Sequence, residues 1–246
     1  MDRPVAIIMA NLLSPYFAEL GDRLIDELSL KGLRPRFFIC PDPDKIDGMV
    51  KEALASGIQG LIIFSAVPGA AAMAATQAAH VPVVILNRSE RVEGASLLWI
   101  DGPEVGRAVA ALMLAEGRQR PLAIAATSFR PRELETFADA MVLGGSAACR
   151  WIDTANDYQD GVRAAAEAFG SDVHPDAVFA ASDTLAIGFL DAARTLHGIR
   201  VPEDLSIIGF GNTAPSGWMS YKVLTVSVPI SSLIQTAVST LLARPA

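Results

Sequence analysis

Amide, guanidinium and carboxylate side chains directly follow short apolar runs at several points of this chain. Asn87 and Arg88 follow one such run, and Asn11 follows another. Ser182 and Asp183 follow a third. Asp, Asn and Arg side chains form bidentate hydrogen bonds with the hydroxyl groups of polyols and sugars, and leaving them unpaired in a desolvated site is costly. These residue types therefore predict recognition of a small ligand.

The sequence contains none of the common motifs for phosphate binding, nucleophilic catalysis or metal binding. The sequence lacks the motifs G-x-x-x-x-G-K-[ST], G-x-S-x-G, H-E-x-x-H and C-x-x-C, and no G-x-G-x-x-G follows the first apolar run. The three histidines lie far apart, and His197 is expected in the last turn of a helix, where a positive side chain suits the helix dipole. Cys40 and Cys149 are too few for a disulfide scaffold. We therefore expect a protein that is not an enzyme and has no catalytic residues, metal site or cofactor.

The composition argues against several other classes of protein. With 20 basic and 27 acidic residues the net charge is −7, whereas binding to a polyanion needs clustered Lys and Arg. A hydrophobic content of 51% against 19% charged residues excludes a disordered chain. The apolar stretch near the start is shorter than a secretory leader requires, and no run reaches the roughly 18–20 residues of a membrane span. We therefore expect a cytoplasmic protein without membrane contact.

Ten short runs rich in Val, Ile, Leu and Phe are predicted to be strands, and their lack of strict polar alternation is typical of strands buried on both faces. They span residues 4–10, 35–40, 60–65, 82–86, 97–100, 121–126, 150–153, 177–181, 205–210 and 223–226. Helical periods between several of them predict helices that include 16–31, 184–197 and 231–243. Repeated strand–helix–strand units predict an α/β fold with parallel sheets covered by helices on both faces.

The number of strands exceeds what one compact doubly wound sheet usually holds, so we predict two doubly wound lobes with a cleft between them. The N-terminal lobe is predicted to comprise residues 1–101 plus about 229–246, and the C-terminal lobe residues 102–228. Ligands of open α/β sheets bind outside the carboxyl ends of the strands. The segments predicted at those ends are 11–17, 65–69, 87–91, 101, 182–183 and 211–213.

Three longer segments and one short run resemble motifs of the LacI/GalR-type transcriptional regulators. Residues 14–20, S-P-Y-F-A-E-L, are similar to N-P-F-F-x-E-L, and residues 180–188, A-A-S-D-T-L-A-I-G, are similar to A-x-N-D-x-x-A-x-G. Residues 201–210, V-P-E-D-L-S-I-I-G-F, match V-P-E-D-[LV]-S-[VI]-[VI]-G-F almost letter for letter and form the most specific element. Residues 224–226, L-T-V, are similar to L-T-T-V. In order and spacing the resemblance extends from about residue 5 to residue 242.

The resemblance implies a periplasmic-binding-protein-like fold of type I and a sensor of a small-molecule effector, such as a sugar or a sugar derivative. It implies the effector-sensing and dimerisation domain of a DNA-binding regulator, with a repressor favoured and a homodimer expected. In that family operator DNA is bound by an N-terminal helix-turn-helix headpiece, which we do not find in this sequence. We expect a trimmed chain, in preference to a sensor without a DNA reader, and one that also lacks the closing C-terminal strand. The alternative is a free-standing solute-binding protein for a sugar-like ligand, which has the same fold.

The resemblance also implies which residues contact the ligand, and several of them depart from the family pattern. Asn87 stands where relatives have Asp, Ser182 where they have Asn, and Gly211 where they have Asp. The family arginine aligns on Glu133, beside Arg132. These departures argue against an ordinary hexose as effector. They leave two alternatives open, a different and less hydroxylated ligand or a site that has lost its ligand. The candidate ligand-binding residues are Asn11, Tyr16, Phe17, Asn87, Arg88, Arg132, Glu133, Ser182, Asp183 and Asn212.

Two pairs of these candidates have structural alternatives. Phe17 begins the apolar stripe of its helix and is as well suited to the core as to the ligand, whereas Tyr16 is the better candidate for stacking on a ligand. Asp183 and Ser182 stand where a helix begins, and either side chain is suited to cap that helix instead of contacting ligand. The sequence leaves both alternatives open.

Overall fold

The computed structural model describes residues 3–126 and 130–243. Its strands are β1 (Val5–Met9), β2 (Pro35–Ile39), β3 (Gly60–Phe64), β4 (Val83–Leu86), β5 (Ala95–Leu98), β6 (Pro121–Ala126), β7 (Arg150–Thr154), β8 (Ala177–Ala180), β9 (Ser206–Gly211) and β10 (Leu224–Ser227). Its α-helices are α1 (Pro15–Leu30), α2 (Ile46–Ala55), α3 (Ala70–Ala78), α4 (Gly102–Ala115), α5 (Arg132–Leu143), α6 (Tyr158–Phe169), α7 (Asp183–Thr195) and α8 (Ile230–Ala243). Two short 3-10 helices cover Pro43–Lys45 and Ala214–Gly217.

The chain divides into two compact units, which we call lobe 1 (Met1–Ile100 and Pro229–Ala246) and lobe 2 (Asp101–Val228). Lobe 1 contains a five-stranded parallel sheet in the order β2-β1-β3-β4-β5. Apolar residues of its strands and of α2 and α3 form one core cluster. Helix α8 also packs in this lobe, against α1 and against β3, β4 and β5.

Lobe 2 contains a second five-stranded parallel sheet, in the order β10-β9-β8-β6-β7. Consecutive residues of β6 face opposite sides: Ile124 belongs to the core under α6 and α7, whereas Ala123 belongs to the core under α4 and α5. In β8, Val178 and Phe179 divide in the same way. Because both faces are covered by helices, these strands need apolar residues at every position.

The two helices that cover one face of lobe 2 approach each other unusually closely. A methyl group on Gly188 of α7 would overlap the backbone carbonyl of Tyr158 and would lie 3.2 Å from the Cα of Gly161 in α6. Both positions therefore require glycine, because a side chain on either would push the helices apart.

The predicted α/β fold is confirmed, and each predicted strand lies within two residues of an observed one. The predicted position of His197 in the last turn of a helix is wrong, because α7 ends at Thr195. Beyond the helix, Gly198 has a left-handed φ of 66°, and the amide of Ile199 bonds back to the carbonyl of Ala193 at 2.9 Å.

Candidate functional site

The strand order of each lobe determines where a ligand site can form. Both sheets follow the 2-1-3-4-5 order, counted within the lobe, so the direction of the crossovers reverses between β1 and β3 in lobe 1 and between β6 and β8 in lobe 2. Open α/β sheets bind ligands outside the carboxyl ends of the strands at such a reversal. Ligand-binding residues are therefore expected at the carboxyl ends of the strands. In lobe 1 these are the segments that follow β1, β3 and β4, and in lobe 2 those that follow β6, β7, β8 and β9.

In lobe 1, Asn11 shapes the loop that follows β1. Its Oδ1 accepts hydrogen bonds from the amides of Leu13 and Ser14, at 3.0 and 2.8 Å. This turn carries the chain into α1, which begins at Pro15. Because the amide oxygen is engaged with the backbone, Asn11 offers its Nδ2 as a donor at the edge of the sheet.

Tyr16 and Asn87 meet at this edge, although 71 residues separate them. Asn87 Nδ2 donates to Tyr16 Oη at 3.3 Å. Phe17 makes edge-to-face contacts with Tyr16 and with the buried Phe64 of β3, with ring centroids 5.7 and 6.4 Å apart. Phe17 therefore joins the aromatic ring of Tyr16 to the core, while the buried stripe of α1 begins only at Leu20.

Arg88 is held against the end of the neighbouring strand. Its Nε and Nη2 both donate to the carbonyl oxygen of Ser65, at 3.1 and 2.8 Å, and Nη1 lies 3.8 Å from the carboxylate of Glu90. Ser65 and Asn87, which directly follow β3 and β4, have left-handed φ values of 58° and 61°. Non-glycine residues adopt this conformation rarely, and such residues cluster at functional sites.

In lobe 2, Ser182 caps α7 and also contacts a residue that the sequence did not single out. Its Oγ accepts from the amide of Leu185 at 3.3 Å and donates to Asn156 Oδ1 at 2.8 Å. Asn156 lies beyond β7 with a left-handed φ of 79°. Since both contacts involve the same hydroxyl, Ser182 is the N-cap of the helix and also orients the Asn156 amide.

Asp183 is 1% exposed, and its carboxylate is surrounded by donors from its own lobe. Oδ2 accepts from the amide of Thr213 at 2.6 Å and from its hydroxyl at 2.9 Å, and Oδ1 accepts from the hydroxyl of Thr225. A methyl group on Gly209 would lie 2.5 Å from Oδ1, so the carboxylate needs a glycine in β9. We call Asp183, Thr213 and Thr225 the buried carboxylate network. The hydrogen bonds of this network, all within lobe 2, explain how the Asp183 carboxylate can be buried.

Asn212 adjoins this network. Its backbone amide donates to Thr225 Oγ1 at 3.1 Å, and its Nδ2 lies 3.4 Å from Ser227 Oγ. The residue itself is exposed, with a left-handed φ of 53°. The buried carboxylate network thus fixes the loop that presents Asn212.

The arginine and glutamate candidates lie on the segment that enters α5. Arg132 is exposed, whereas a methyl group on Gly102, the first residue of α4, would lie 2.7 Å from Glu133 Oε2. Burial raises the pKa of the Glu133 carboxyl. Nearby in sequence, the Arg130 guanidinium stacks over the Trp151 ring at 4.4 Å.

Arg130 also pairs with Asp153 of β7 at 3.4 Å. This Arg130, Trp151 and Asp153 cluster was not predicted from the sequence. Arg130 precedes α5, whereas Trp151 and Asp153 belong to β7, the edge strand of the sheet, and no motif connects them.

The most specific sequence motif, at 201–210, proves to be structural. Arg118, which follows α4, donates to Ser206 Oγ at 2.8 Å and to the carbonyl of Glu203 at 3.2 Å. Asp204 accepts from Arg200 Nε at 2.7 Å, and this ion pair lowers the pKa of the Asp204 carboxyl. The motif therefore locks the turn before β9 and lies at the opposite end of that strand from Asn212.

Within each lobe the structure thus brings predicted residues together. In lobe 1, Asn11 follows β1, Asn87 and Arg88 follow β4, and Tyr16, in the first turn of α1, contacts Asn87. In lobe 2, Ser182 and Asn212 flank the buried Asp183. Among residues 3–126 and 130–243, no group of three or more His, Cys, Asp or Glu side chains could hold a metal ion. No helix in that part of the chain is both long and apolar enough to cross a membrane.

Comparison with known proteins agrees with this architecture. The periplasmic binding protein-like domain family matches residues 114–245. The transcriptional regulator DegA of Bacillus subtilis is 25% identical, over 93% of this chain and 70% of its own length. The transcriptional repressor PurR of Klebsiella pneumoniae is 26% identical, over 98% of this chain and 73% of its own. Both are described as HTH-type.

Solved structures show the same fold. A LacI family regulator from Enterococcus faecium with bound ribose superposes with a TM-score of 0.86 at 22% identity, covering 98% of this chain and 90% of its own. One from Lactobacillus casei with bound glucose gives a TM-score of 0.84 at 20% identity, covering 97% and 92%. The resemblance drawn from the sequence motifs is confirmed. The chain belongs to the periplasmic binding protein-like domain family.

Proposed function

We propose that this chain is the effector-sensing and dimerisation domain of a LacI-type DNA-binding transcriptional regulator that acts as a repressor. The observation that carries the proposal is the placement of Asn87 and Arg88 directly after β4 at the carboxyl edge of the sheet of lobe 1, where Asn87 contacts Tyr16 of α1 and Arg88 bonds to the carbonyl of Ser65 after β3. The guanidinium and amide are held by neighbouring protein groups, and such pre-organised donors favour binding because less entropy is lost when a ligand arrives.

Relatives support a small-molecule effector. Three solved LacI-type structures hold ribose, glucose or sucrose, and a ribose operon repressor of Haemophilus influenzae is 35% identical over 38% of this chain. We propose that the effector of this chain is likewise a small polar molecule. The candidate contacts on lobe 1 are Asn11, Tyr16, Phe17, Asn87 and Arg88. Considered by itself, lobe 2 offers the candidates Arg132, Glu133, Ser182, Asn156 and Asn212.

Asp183 has a different part in this proposal. Its carboxylate accepts from three protein donors and is buried, so we assign it to positioning Asn212 and the start of α7. A ligand hydroxyl that replaced one of these donors would leave a buried group of the protein unpaired.

The remaining parts of the proposal concern partners and location. With a net charge of −7, the lobes are unsuited to hold DNA themselves, so operator contact is assigned to a helix-turn-helix headpiece. The protein would be a cytoplasmic homodimer, with α1 as one interface element because Ile25 and Leu30 are exposed on it. Catalysis has no part in this function.

A ligand screen tests the proposal. The purified chain would be scanned by thermal shift against ribose, glucose, sucrose, nucleosides, amino acids and small organic acids. A ligand at 100 times its Kd adds about 2.7 kcal/mol of stability, which is easily measured. Arg88→Ala should abolish the shift.

Arg36→Ala is the matched control, because Arg36 likewise donates to the backbone carbonyl of a serine, Ser56, at 3.4 Å, but from the edge strand β2. This control should keep the shift. A well-folded chain that no compound stabilises, or a shift that survives Arg88→Ala, would contradict the proposed site.

A further inference from the structure

We infer that the side-chain amide of Asn156 is the group with which the carboxyl edge of lobe 2 binds an oxygen atom of the effector, and that Ser182 is the positioning residue that aims this amide. Both are candidate contacts in the proposed function, on which the inference rests, and here they receive different roles. The roles follow from the hydrogen bonds that join the two residues across the end of the sheet.

Asn156 and Ser182 follow strands that are not neighbours in the sheet. Asn156 follows β7 and Ser182 follows β8, and β6 lies between these two strands. Two strand spacings amount to about 10 Å, yet Ser182 Oγ lies 2.8 Å from Asn156 Oδ1. The loop beyond β7 therefore brings the Asn156 side chain past the end of β6, towards the point where the crossovers of lobe 2 reverse.

The hydroxyl of Ser182 determines which atom of the Asn156 amide points away from it. This hydroxyl accepts a hydrogen bond from the amide of Leu185 at 3.3 Å and directs its single proton to Asn156 Oδ1. Asn156 Nδ2 keeps its two protons and has no acceptor within the part of the chain that the structure describes. A ligand at this edge can therefore receive a proton from Asn156, whereas the proton of Ser182 is already used.

The backbone holds Asn156 in a fixed and uncommon conformation. Its φ of 79° lies in the left-handed region that residues other than glycine adopt rarely. Its amide donates to Thr154 Oγ1 at 3.3 Å, and this hydroxyl donates to the carbonyl of Ala125 in β6 at 3.1 Å. On the other side, Asp157 begins α6 with a capping box that it forms with Asp160. Residues constrained in this way cluster at ligand sites.

The packing of α6 and α7 does not require the hydrogen bond between Asn156 and Ser182. The two helices already touch through their backbones, because a methyl group on Gly161 would lie 2.3 Å from the carbonyl oxygen of Leu185. The start of α6 has its own capping box, and the start of α7 is capped by Ser182. We therefore assign the hydrogen bond to orienting the amide.

An amide N–H group binds a lone pair of an oxygen atom. Hydroxyl, carbonyl and carboxylate oxygens all accept such a bond, so the assignment gives the effector an oxygen acceptor at this point and no particular charge. Because the direction of the Asn156 amide is set before the ligand arrives, less entropy is lost on binding than with a freely rotating side chain.

Isothermal titration calorimetry on the full chain tests the role of Asn156, with ribose, sucrose, adenosine, glutamate and citrate as probes. The probe that binds most tightly is then titrated into Asn156→Gly, which removes the amide and suits a positive φ. We expect its Kd to rise at least tenfold. His80→Gly is the matched control, because His80 is also exposed with a left-handed φ, 53°, but precedes β4 at the amino end of that strand. This control should keep its Kd within twofold of wild type, and both variants should have similar midpoints of urea unfolding.

Substitutions of Ser182 separate the binding group from the positioning group. Adding Ser182→Asn to Asn156→Gly returns an amide to the adjoining position and keeps the helix cap, since Asn caps as well as Ser; we expect binding at least threefold tighter than in Asn156→Gly alone. Ser182→Gly, which is also accepted as a cap, cannot orient Asn156 and should raise the Kd at least fivefold. Ser182→Thr keeps the hydroxyl and should stay within twofold of wild type.

Failure of the inference and failure of the proposed function give different results. If a probe binds the wild type and Asn156→Gly binds it within twofold as tightly, the inference is wrong and the proposed function stands. Equal affinities of Ser182→Gly and Ser182→Thr, or a double variant that binds no more tightly than Asn156→Gly, would likewise overturn the inference alone. If no probe binds the wild type, both are overturned.

Discussion

The hydroxyl of Thr225 gives the most direct access to the buried carboxylate network. Thr225→Val replaces it with a methyl group of similar size, so one donor to Asp183 is lost while the packing volume is kept. A hydrogen bond to a charged group contributes a net 1.5–3 kcal/mol, roughly, and Asp183 is too buried to regain it from water. The amide of Asn212 also loses its acceptor but belongs to an exposed residue. We therefore expect the free energy of unfolding to fall by about 2–3 kcal/mol.

Urea unfolding followed by tryptophan fluorescence measures this change, since Trp151 and Trp218 both belong to lobe 2. Thr225→Ser keeps the hydroxyl and should lose clearly less than the Val variant. Thr236→Val is the matched control: its hydroxyl bonds only to the carbonyl of Ser232 within α8, and we expect a change below about 0.5 kcal/mol. If Thr225→Val were as stable as this control, the carboxylate would not depend on the Thr225 hydroxyl and the reasoning would be wrong.

Three further predictions concern packing and titration. Gly188→Ala should lower the free energy of unfolding in urea by about 3 kcal/mol, because its methyl group would overlap the carbonyl of Tyr158. As a control, Gly48→Ala in α2, where the glycine has open space around it, should raise the free energy of unfolding by about 0.5–1 kcal/mol. Equal effects of the two substitutions would contradict the close packing of α6 and α7. The hydrogen bond to Asp191 raises the pKa of Tyr158 to about 12 from 10.0. The folded state therefore keeps a proton that the unfolded chain loses, and the resulting stability is present below pH 10 and lost as the pH rises towards 12. Ultraviolet titration of Asp191→Asn should show this phenol ionising nearer its ordinary value, and an unchanged titration would exclude the assigned cause. Burial raises the pKa of the Cys149 thiol to about 12, so a disulfide reagent at pH 8 should label it only after unfolding; rapid labelling of the folded chain would disprove this.

The strands could be predicted because strands covered on both faces need continuous apolar residues, and few other segments have them. The largest boundary error concerns β5, predicted at 97–100 and observed at Ala95–Leu98. The apolar run continues through Trp99 and Ile100, but the ladder with β4 ends at Leu98, whose carbonyl accepts from the Asn87 amide. The end of a strand depends on its pairing with a distant segment, and this pairing cannot be predicted from the local composition.

The candidate site could be predicted only in part, for a related reason. Asn87 and Arg88 follow an apolar run and are found at a strand end, as the pattern indicates. Asn156 follows β7, yet it lies in a polar stretch and becomes significant only through Ser182, 26 residues away. Asp183 looks in sequence like a ligand contact, and only the positions of Thr213 and Thr225 show that its carboxylate is already satisfied.

The order in which the chain is synthesised affects the two lobes differently. Lobe 2 is one continuous stretch, Asp101–Val228, so each of its strands and helices is available once that stretch has left the ribosome. Lobe 1 is split: α8 follows lobe 2 in sequence, yet it packs on α1 and on β3, where Leu241 covers Gly60. During translation the apolar surface of the lobe 1 sheet that α8 covers therefore stays exposed until α8 emerges from the ribosome. That interval makes lobe 1 the part of the nascent chain most exposed to aggregation and most in need of a chaperone.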